Sequence, residues 1–216
     1  EVKRSLPHSL YEPYADMFIL VQINDFVVIE PKKFGLDIKD TISHELNSRF
    51  SNKVLYKVGL CISLWDIVSI GDKFISHDTG AYNIAVTFRM ICFRPTVDEI
   101  ITGSVKNCSR DGLQVSLYFF DDIFIPSDKL RHPSKFDYEQ QSWIWQYEDE
   151  GESAELRIEK NDTIRFRVEE EVWRDPNPDT VPDSGSSINP FDSKAPYTIL
   201  GSIVADGLGL TCWWIN

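Results

Sequence analysis

The sequence predicts an α+β chain in two parts, an N-terminal antiparallel sheet with one main helix and then a small C-terminal β-barrel. Three observations carry this. Residues 38–50 repeat apolar side chains every four positions, at Ile38, Ile42, Leu46 and Phe50, the spacing of a helix with one apolar face. The other apolar runs are short, rich in β-branched and aromatic residues, and bounded by Gly, Pro, Asn or Asp, which is strand and turn chemistry. The run 86–130, VTFRMICFRPTVDEIITGSVKNCSRDGLQVSLYFFDDIFIPSDKL, holds a strand, a break at Arg94-Pro95-Thr96, and the opening hairpin of a new unit.

In chain order, residues 1–16 contain no apolar run and read as an extension ahead of Met17. Residues 17–30 (MFILVQINDFVVIE) read as strand, turn, strand, stopped by Pro31. Asp37 is the N-cap of the helix over 38–50, and Phe34 and Val54 extend its stripe. The stripe reads as core-facing, with a partner groove as the other use of such a face. Strands follow at 58–70 and 81–93, joined by a turn-rich link over 71–80. The domains predicted are therefore 17–95 and 96–216.

In the second domain, strands are expected at 99–109 and 113–120 around a tight turn at Arg110-Asp111-Gly112, with Gly112 at positive φ. Leu113, Val115 and Leu117 alternate with Gln114, Ser116 and Tyr118, giving one buried and one exposed face. Further strands are expected within 123–130 and at 142–147, 164–172, 197–203 and 208–214. The acidic stretch 148–155 reads as a loop, and 175–196, rich in Pro, Asp and Ser, as a flexible insertion. Short strands at this spacing suggest a closed or partly open barrel of the OB type.

Charge narrows function. Of the net −12, nearly all lies in residues 96–216, which carry 11 basic and 23 acidic groups. Phosphate binding needs Lys and Arg, so the chain alone should hold nucleic acid weakly. The four cysteines (Cys61, Cys92, Cys108, Cys212) form no CxxC pair, and no histidine lies near them at ligand spacing, so no metal site is expected. Cys61, Cys92 and Cys212 sit in apolar contexts and read as buried thiols in a reducing compartment. No apolar stretch approaches the roughly 18–20 residues that span a bilayer. His77-Asp78 lies in a turn without a nucleophile, and the pairs Asp98-Glu99 and Asp121-Asp122 diverge on a strand. No phosphate loop, nucleophile elbow or HExxH motif occurs. Neither catalytic nor cofactor-binding residues are expected.

The spacing Gly103-x-Val105, Gly112-x-x-Val115-x-Leu117 and Ile125-x-Ser127-x-x-Leu130 resembles the S1 variety of OB-fold. Together with GLCISLWDI (59–67), VTFRMICFRP (86–95), FFDDIFIPSDKL (119–130), WIW (143–145), RFRV (165–168) and GLGLTCWW (207–214), the chain resembles the larger stalk subunit of archaeal and eukaryotic RNA polymerases. Within that family it is most similar to the RNA polymerase III member. The resemblance implies a tip domain docking on the polymerase core, an S1-like OB barrel, and an obligate heterodimer with a smaller helical subunit. It implies a non-catalytic nuclear role in transcription initiation, with contacts to initiation factors and to emerging RNA. The alternative is a free-standing S1/OB-type RNA-binding protein.

Carried onto this chain, the resemblance puts the core-docking loops at 51–54 and 77–80, with Asn52, Lys53, Asp78 and Gly80 as candidates. The S1 stacking aromatic and histidine correspond to Leu113 or Gln114 and to about Ile125, so neither is present. The RNA-facing candidates are then Lys106, Arg110, Tyr118, Lys129 and Arg131, with Arg165 and Arg167 as further basic positions. Trp143, Trp145, Trp213 and Trp214 exceed what a small barrel core hides, and some should be covered by the smaller subunit or between domains.

Overall fold

The computed structural model describes residues 17–149, 152–174 and 195–214. The extension 1–16 and nearly all of the insertion 175–196 lie outside the described residues. The chain divides into two compact units, Glu1–Pro95 and Thr96–Asn216.

The first unit is a four-stranded antiparallel sheet with one helix. Its strands are β1 (Phe18–Ile29), β2 (Lys53–Leu55), β3 (Gly59–Ile75) and β4 (Tyr82–Phe93), in the order β1-β4-β3-β2. The helix α1 (Ile38–Phe50) has the expected limits, and the Asp37 side chain accepts from the Lys39 and Asp40 N–H groups at 2.8 and 3.2 Å. These are two of the amides that a helix start leaves without partners. Ile42, Leu46 and Phe50 face inward and meet alternate residues of β4, Ile84, Val86, Phe88 and Met90, in one apolar core. Ser51 leaves the helix in extended conformation and Asn52 turns the chain with φ 59°.

Three expectations for this unit need correction. Residues 17–30 contain no turn, because Asn24 and Asp25 pair with Thr87 and Val86 like their neighbours. Asp25 is kept in the strand by an ion pair to Arg49 of α1 at 2.9 Å. The first half of the link 71–80 is strand, since β3 continues to Ile75 opposite Tyr82, and only residues 77–79 turn. Val54 does not extend the helix stripe but pairs with Leu60 in β2, a strand too short to show a period.

The second unit contains the expected barrel. Strands β5 (Ile100–Ser109), β6 (Gly112–Ser116) and β7 (Ile123–Pro126) form a meander, and β11 (Thr163–Trp173) pairs back on β5. Strand β12 (Tyr197–Ser202) pairs antiparallel with β11 and parallel with β7, which closes a five-stranded ring. Ile101, Val105, Leu113, Val115, Ile123, Ile125, Ile164, Phe166 and Ile199 alternate inward and are all buried. Gly112 sits at φ 150°, and a Cβ there would lie 2.1 Å from the Ile125 carbonyl oxygen. Only glycine fits that approach of β6 to β7.

Between β7 and β11 the chain adds a separate three-stranded sheet, β8 (Ser134–Asp137), β9 (Ser142–Asp149) and β10 (Glu152–Ile158). The acidic segment 148–155 is therefore largely strand rather than a loop. Cross-strand pairs Trp145↔Leu156 and Trp143↔Ile158 hold the hairpin, and the acidic residues near its tip hid it from sequence. Strand β6 is shorter than expected: Tyr118 takes φ 68°, and the Leu117 N–H donates to the Phe120 carbonyl. The last expected strand shrinks to β13 (Gly209–Leu210), followed by a 3-10 turn over Thr211–Trp214.

The tryptophans are mostly covered within this unit. Trp143 and Trp145 are 7% and 8% exposed, Trp143 donates from its indole N–H to the Ser109 carbonyl, and Trp145 packs on Trp213. The Arg131 guanidinium lies between Trp145 and Trp214, 4.8 and 5.1 Å from the ring centres. Such cation–π contacts strengthen when water is excluded. Cys61 and Cys92 are buried as expected, whereas Cys212 is exposed, contrary to the expectation from local composition, and Cys108 is buried as well.

Truncating Leu46 to alanine is expected to destabilise the first unit by about 2–5 kcal/mol, as for other buried leucines. Gly112→Ala is expected to cost roughly 1–3 kcal/mol from backbone strain alone, plus the clash. Urea unfolding of each variant measures both.

Candidate nucleic-acid interface and docking edges

On the outer face of the barrel, register places Asn107 opposite Gln114 and Gln114 opposite Phe124. This row crosses β5, β6 and β7, and β6 and β7 are the second and third barrel strands, the face on which OB-folds hold oligonucleotides. It floors a groove of about 230 Å³, whose walls include Asp121, Asp122 and Arg174. Two side-chain amides offer donors and acceptors, and Phe124 offers a half-buried ring. That combination suits one stacked, hydrogen-bonded base.

The groove is electrostatically self-contained. Asp121 accepts from the Lys106 ammonium at 2.7 Å and from the Ser116 hydroxyl, and the Lys106 contact above all holds its carboxyl below the ordinary range. The Gln114 amide donates to the Asp121 main-chain oxygen at 3.2 Å. Burial pushes the Asp122 carboxyl up, and the neighbouring Asp121 charge adds to that. The groove therefore offers little free positive charge to a phosphate.

The five expected RNA-facing residues fall into two groups. Lys106 and Tyr118 lie by the groove; Lys106 is paired to Asp121, and Tyr118 is 91% exposed. Arg110, Lys129 and Arg131 lie at the end of the barrel where the β5–β6 turn meets the 3-10 turn Ser127–Lys129, joined by the Ser127 N–H to Asp111 carbonyl bond. Lys129 pairs with Glu169 at 3.4 Å, and Arg131 with Asp206 while packed between tryptophans. Arg110 is exposed and has no ion pair among the described residues. Of the further basic positions, Arg165 is exposed, whereas the Arg167 Nε is buried without a hydrogen-bond partner.

Of the positions that the resemblance matches to the S1 aromatic and histidine, Leu113 or Gln114 and about Ile125, Leu113 and Ile125 are fully buried core. Gln114 and Phe124 occupy the outward positions beside them. Parity was the signal available: in the run Ile123-Phe124-Ile125, two inward isoleucines force the phenylalanine outward.

In the first unit, the four core-docking candidates do not converge. Asn52 and Lys53 lie beside Cys61 at the start of β3, since Lys53 pairs with Cys61. Asp78 and Gly80 lie beyond its other end at Ile75. The partner strand β4 runs from Cys92 to Tyr82 between the same two points, so at about 3.3 Å per residue the loops are on the order of 30 Å apart along the sheet. Gly80 takes φ 66°, and close by Phe34 stacks on Tyr82 with ring centres 3.9 Å apart.

Sequence reading missed a different feature of this unit. Strand β2 covers only Gly59–Cys61, so among the described residues the rest of the outer β3 edge has no strand partner. A groove between that edge and α1 is lined by Lys39, Ser43, Leu64, Trp65 and Val68, with Trp65 57% exposed. At one point the edge is closed by α1, where the Leu64 N–H donates to the Asn47 side-chain oxygen at 2.8 Å. Among the described residues no cluster of His, Cys, Asp and Glu could hold a metal ion.

A family model described as "RNA polymerase III subunit Rpc25" matches residues 99–214. Another, described as "SHS2 domain found in N terminus of Rpb7p/Rpc25p/MJ0397", matches residues 24–80. The chain is similar to the DNA-directed RNA polymerase III subunit RPC8 of Bos taurus, with 43% identity over 204 residues, 93% of this chain and 100% of the relative. It is 36% identical to RPC8 of Saccharomyces cerevisiae over 214 residues, 92% of this chain and 100% of the relative. The DNA-directed RNA polymerase subunit Rpo7 of Saccharolobus solfataricus is 26% identical over 152 residues, 70% of this chain and 81% of that protein.

A carboxyl whose folded-state titration is raised contributes stability below its unfolded value, and loses that contribution as pH rises through the folded value. Asp122→Asn is therefore expected to raise the thermal midpoint at pH 7 and to give no gain near pH 3, measured by calorimetry across that range.

Proposed function

The chain belongs to the family of the RNA polymerase III subunit Rpc25, and from that membership we propose that it is the larger stalk subunit of DNA-directed RNA polymerase III. The observation that carries this reading is end-to-end similarity to RPC8 proteins, with one family model on each of the two units. The role is non-catalytic. The chain adds surfaces to a nucleotidyltransferase whose chemistry lies in other subunits, and it works in the nucleus.

Within that role the first unit docks on the polymerase core through the loops 51–54 and 77–80. Their separation makes this a two-point attachment, with Asn52 and Lys53 at one end and Asp78 and Gly80 at the other. The smaller helical subunit pairs with this chain as an obligate heterodimer, and the open β3 edge with exposed Trp65 and Val68 supplies a surface for it. Covering such exposed apolar groups is a main source of affinity at interfaces.

The barrel stands beside emerging RNA and meets initiation factors. Single-strand contact runs over Phe124, Gln114 and Asn107, with Tyr118 beside them and Arg110 reached at the end of the barrel. A stacked base contributes about 1–3 kcal/mol. The surrounding carboxylates and paired cations keep the affinity low and dependent on salt. A free-standing RNA-binding protein would need a more basic barrel than this one.

Affinity purification of the tagged chain from cells that express it, followed by identification of bound proteins, tests the assignment. Core subunits of RNA polymerase III and one small helical protein are expected together; recovery of the chain alone would overturn it. Trp65→Glu with Val68→Glu is expected to lose the small subunit while the barrel stays folded. For RNA, Phe124→Ala in the heterodimer should weaken single-strand binding about ten-fold by fluorescence anisotropy. Arg110→Glu should lower the salt dependence by about one counterion.

A further inference from the structure

We infer that Cys61 and Cys92 form an oxidation-sensitive dithiol, a modification site at which strands β3 and β4 become joined by a disulfide. The two residues are direct cross-strand partners, and their free sulfurs lie 3.4 Å apart. Residues directly opposite on antiparallel strands have Cα atoms about 4.5–5.5 Å apart, within the range that a disulfide accepts. Both side chains face the helix side of the sheet, with Cys92 following Met90 in the inward alternation of β4. Bond formation thus needs the sulfurs to close to about 2.05 Å while the backbone stays in register.

The two buried thiols share one hydrogen bond that either sulfur can donate. Access separates them: Cys61 lies beside the edge of the sheet, whereas Cys92 is on the interior strand β4. Cys61 is therefore the attacking sulfur and Cys92 the resolving one. Neither sulfur is exposed. The cover over Cys61 includes the three-residue edge strand β2, whose Lys53 pairs with it, and short edge elements open at low cost. The remaining cysteines differ: the buried Cys108, raised to about 11, faces the Ile158 carbonyl at 3.8 Å, and Cys212 is exposed.

With a diazenedicarboxamide as two-electron oxidant, the Cys61 thiolate adds to the N=N bond and forms an S–N bond. The Cys92 sulfur then attacks the Cys61 sulfur, the S–S bond forms, and the S–N bond breaks. The two thiol protons leave on the hydrazine product, so two thiols are oxidised and one diazene is reduced. This device is independent of the polymerase reading, because it concerns the first unit alone.

The full chain, with its small partner if required for solubility, is treated with diamide under native conditions, quenched with acid and mapped as non-reduced peptides. The expected product is an intramolecular peptide pair linking Cys61 to Cys92, reversed by dithiothreitol, with a raised thermal midpoint. A C108A/C212S variant should lose both remaining thiols in the same treatment. Adding Cys61→Ser to that variant should leave the Cys92 thiol unoxidised. Two results would overturn the inference: a Cys61–Cys92 link that forms only after unfolding in urea, or native oxidation that yields only external adducts or intermolecular links. If the double variant fails to fold, peptide mapping of the unaltered chain decides between these outcomes.

Discussion

The pairing of β12 with two partners at once is the constraint on which the second unit depends. It runs antiparallel to β11 and parallel to β7, and without it the meander would be an open sheet with two bare edges. Closure sends every second side chain inward, which is why Leu113, Val115, Ile123 and Ile125 are buried and why Gln114 and Phe124 are not. It also demands a close crossing at Gly112, where β6 and β7 leave no room for a Cβ. The groove on the outer face is thus a by-product of how the core is filled.

Charge has a local explanation as well as a global one. The second unit is strongly acidic, and three of the four cations among the candidate RNA-facing residues are committed to particular carboxylates: Lys106 to Asp121, Lys129 to Glu169, Arg131 to Asp206. Exposed pairs of this kind add little stability, commonly below about 1 kcal/mol each. Their larger effect is to remove positive charge that a phosphate chain would otherwise meet. Arg131 goes further, because its guanidinium is stacked between tryptophans and helps hold the three-stranded sheet against the rest of the unit.

Much of the fold could be read from residues in order. The helix over 38–50 and its Asp37 cap were legible because period and capping are both local. The errors share one cause, which is that a strand is recognised by its pairing partner rather than by its own composition. Asn24-Asp25 looks like a turn until β4 is placed beside it, and 148–155 looks like a solvated loop until Trp143 and Trp145 are given partners on β10. Cys212, in an apolar stretch, was expected to be buried and is exposed on the 3-10 turn. Of the candidate site, the basic residues were identified by type, but their ion pairs, and the outward parity of Phe124, required the sheet.

The sequence by itself determined the two-part α+β organisation, the family, and the absence of recognisable catalytic motifs, because periodicity, capping and long characteristic words survive without coordinates. Tertiary structure alone decided which surfaces are available. It separated the two candidate docking loops to opposite ends of β3, left most of that strand's outer edge without a strand partner among the described residues, and brought Cys61 and Cys92 into contact. Register is the physical reason: a one-residue slip moves every side chain to the other face. It is fixed by long-range pairing and core packing, which no short window of sequence contains.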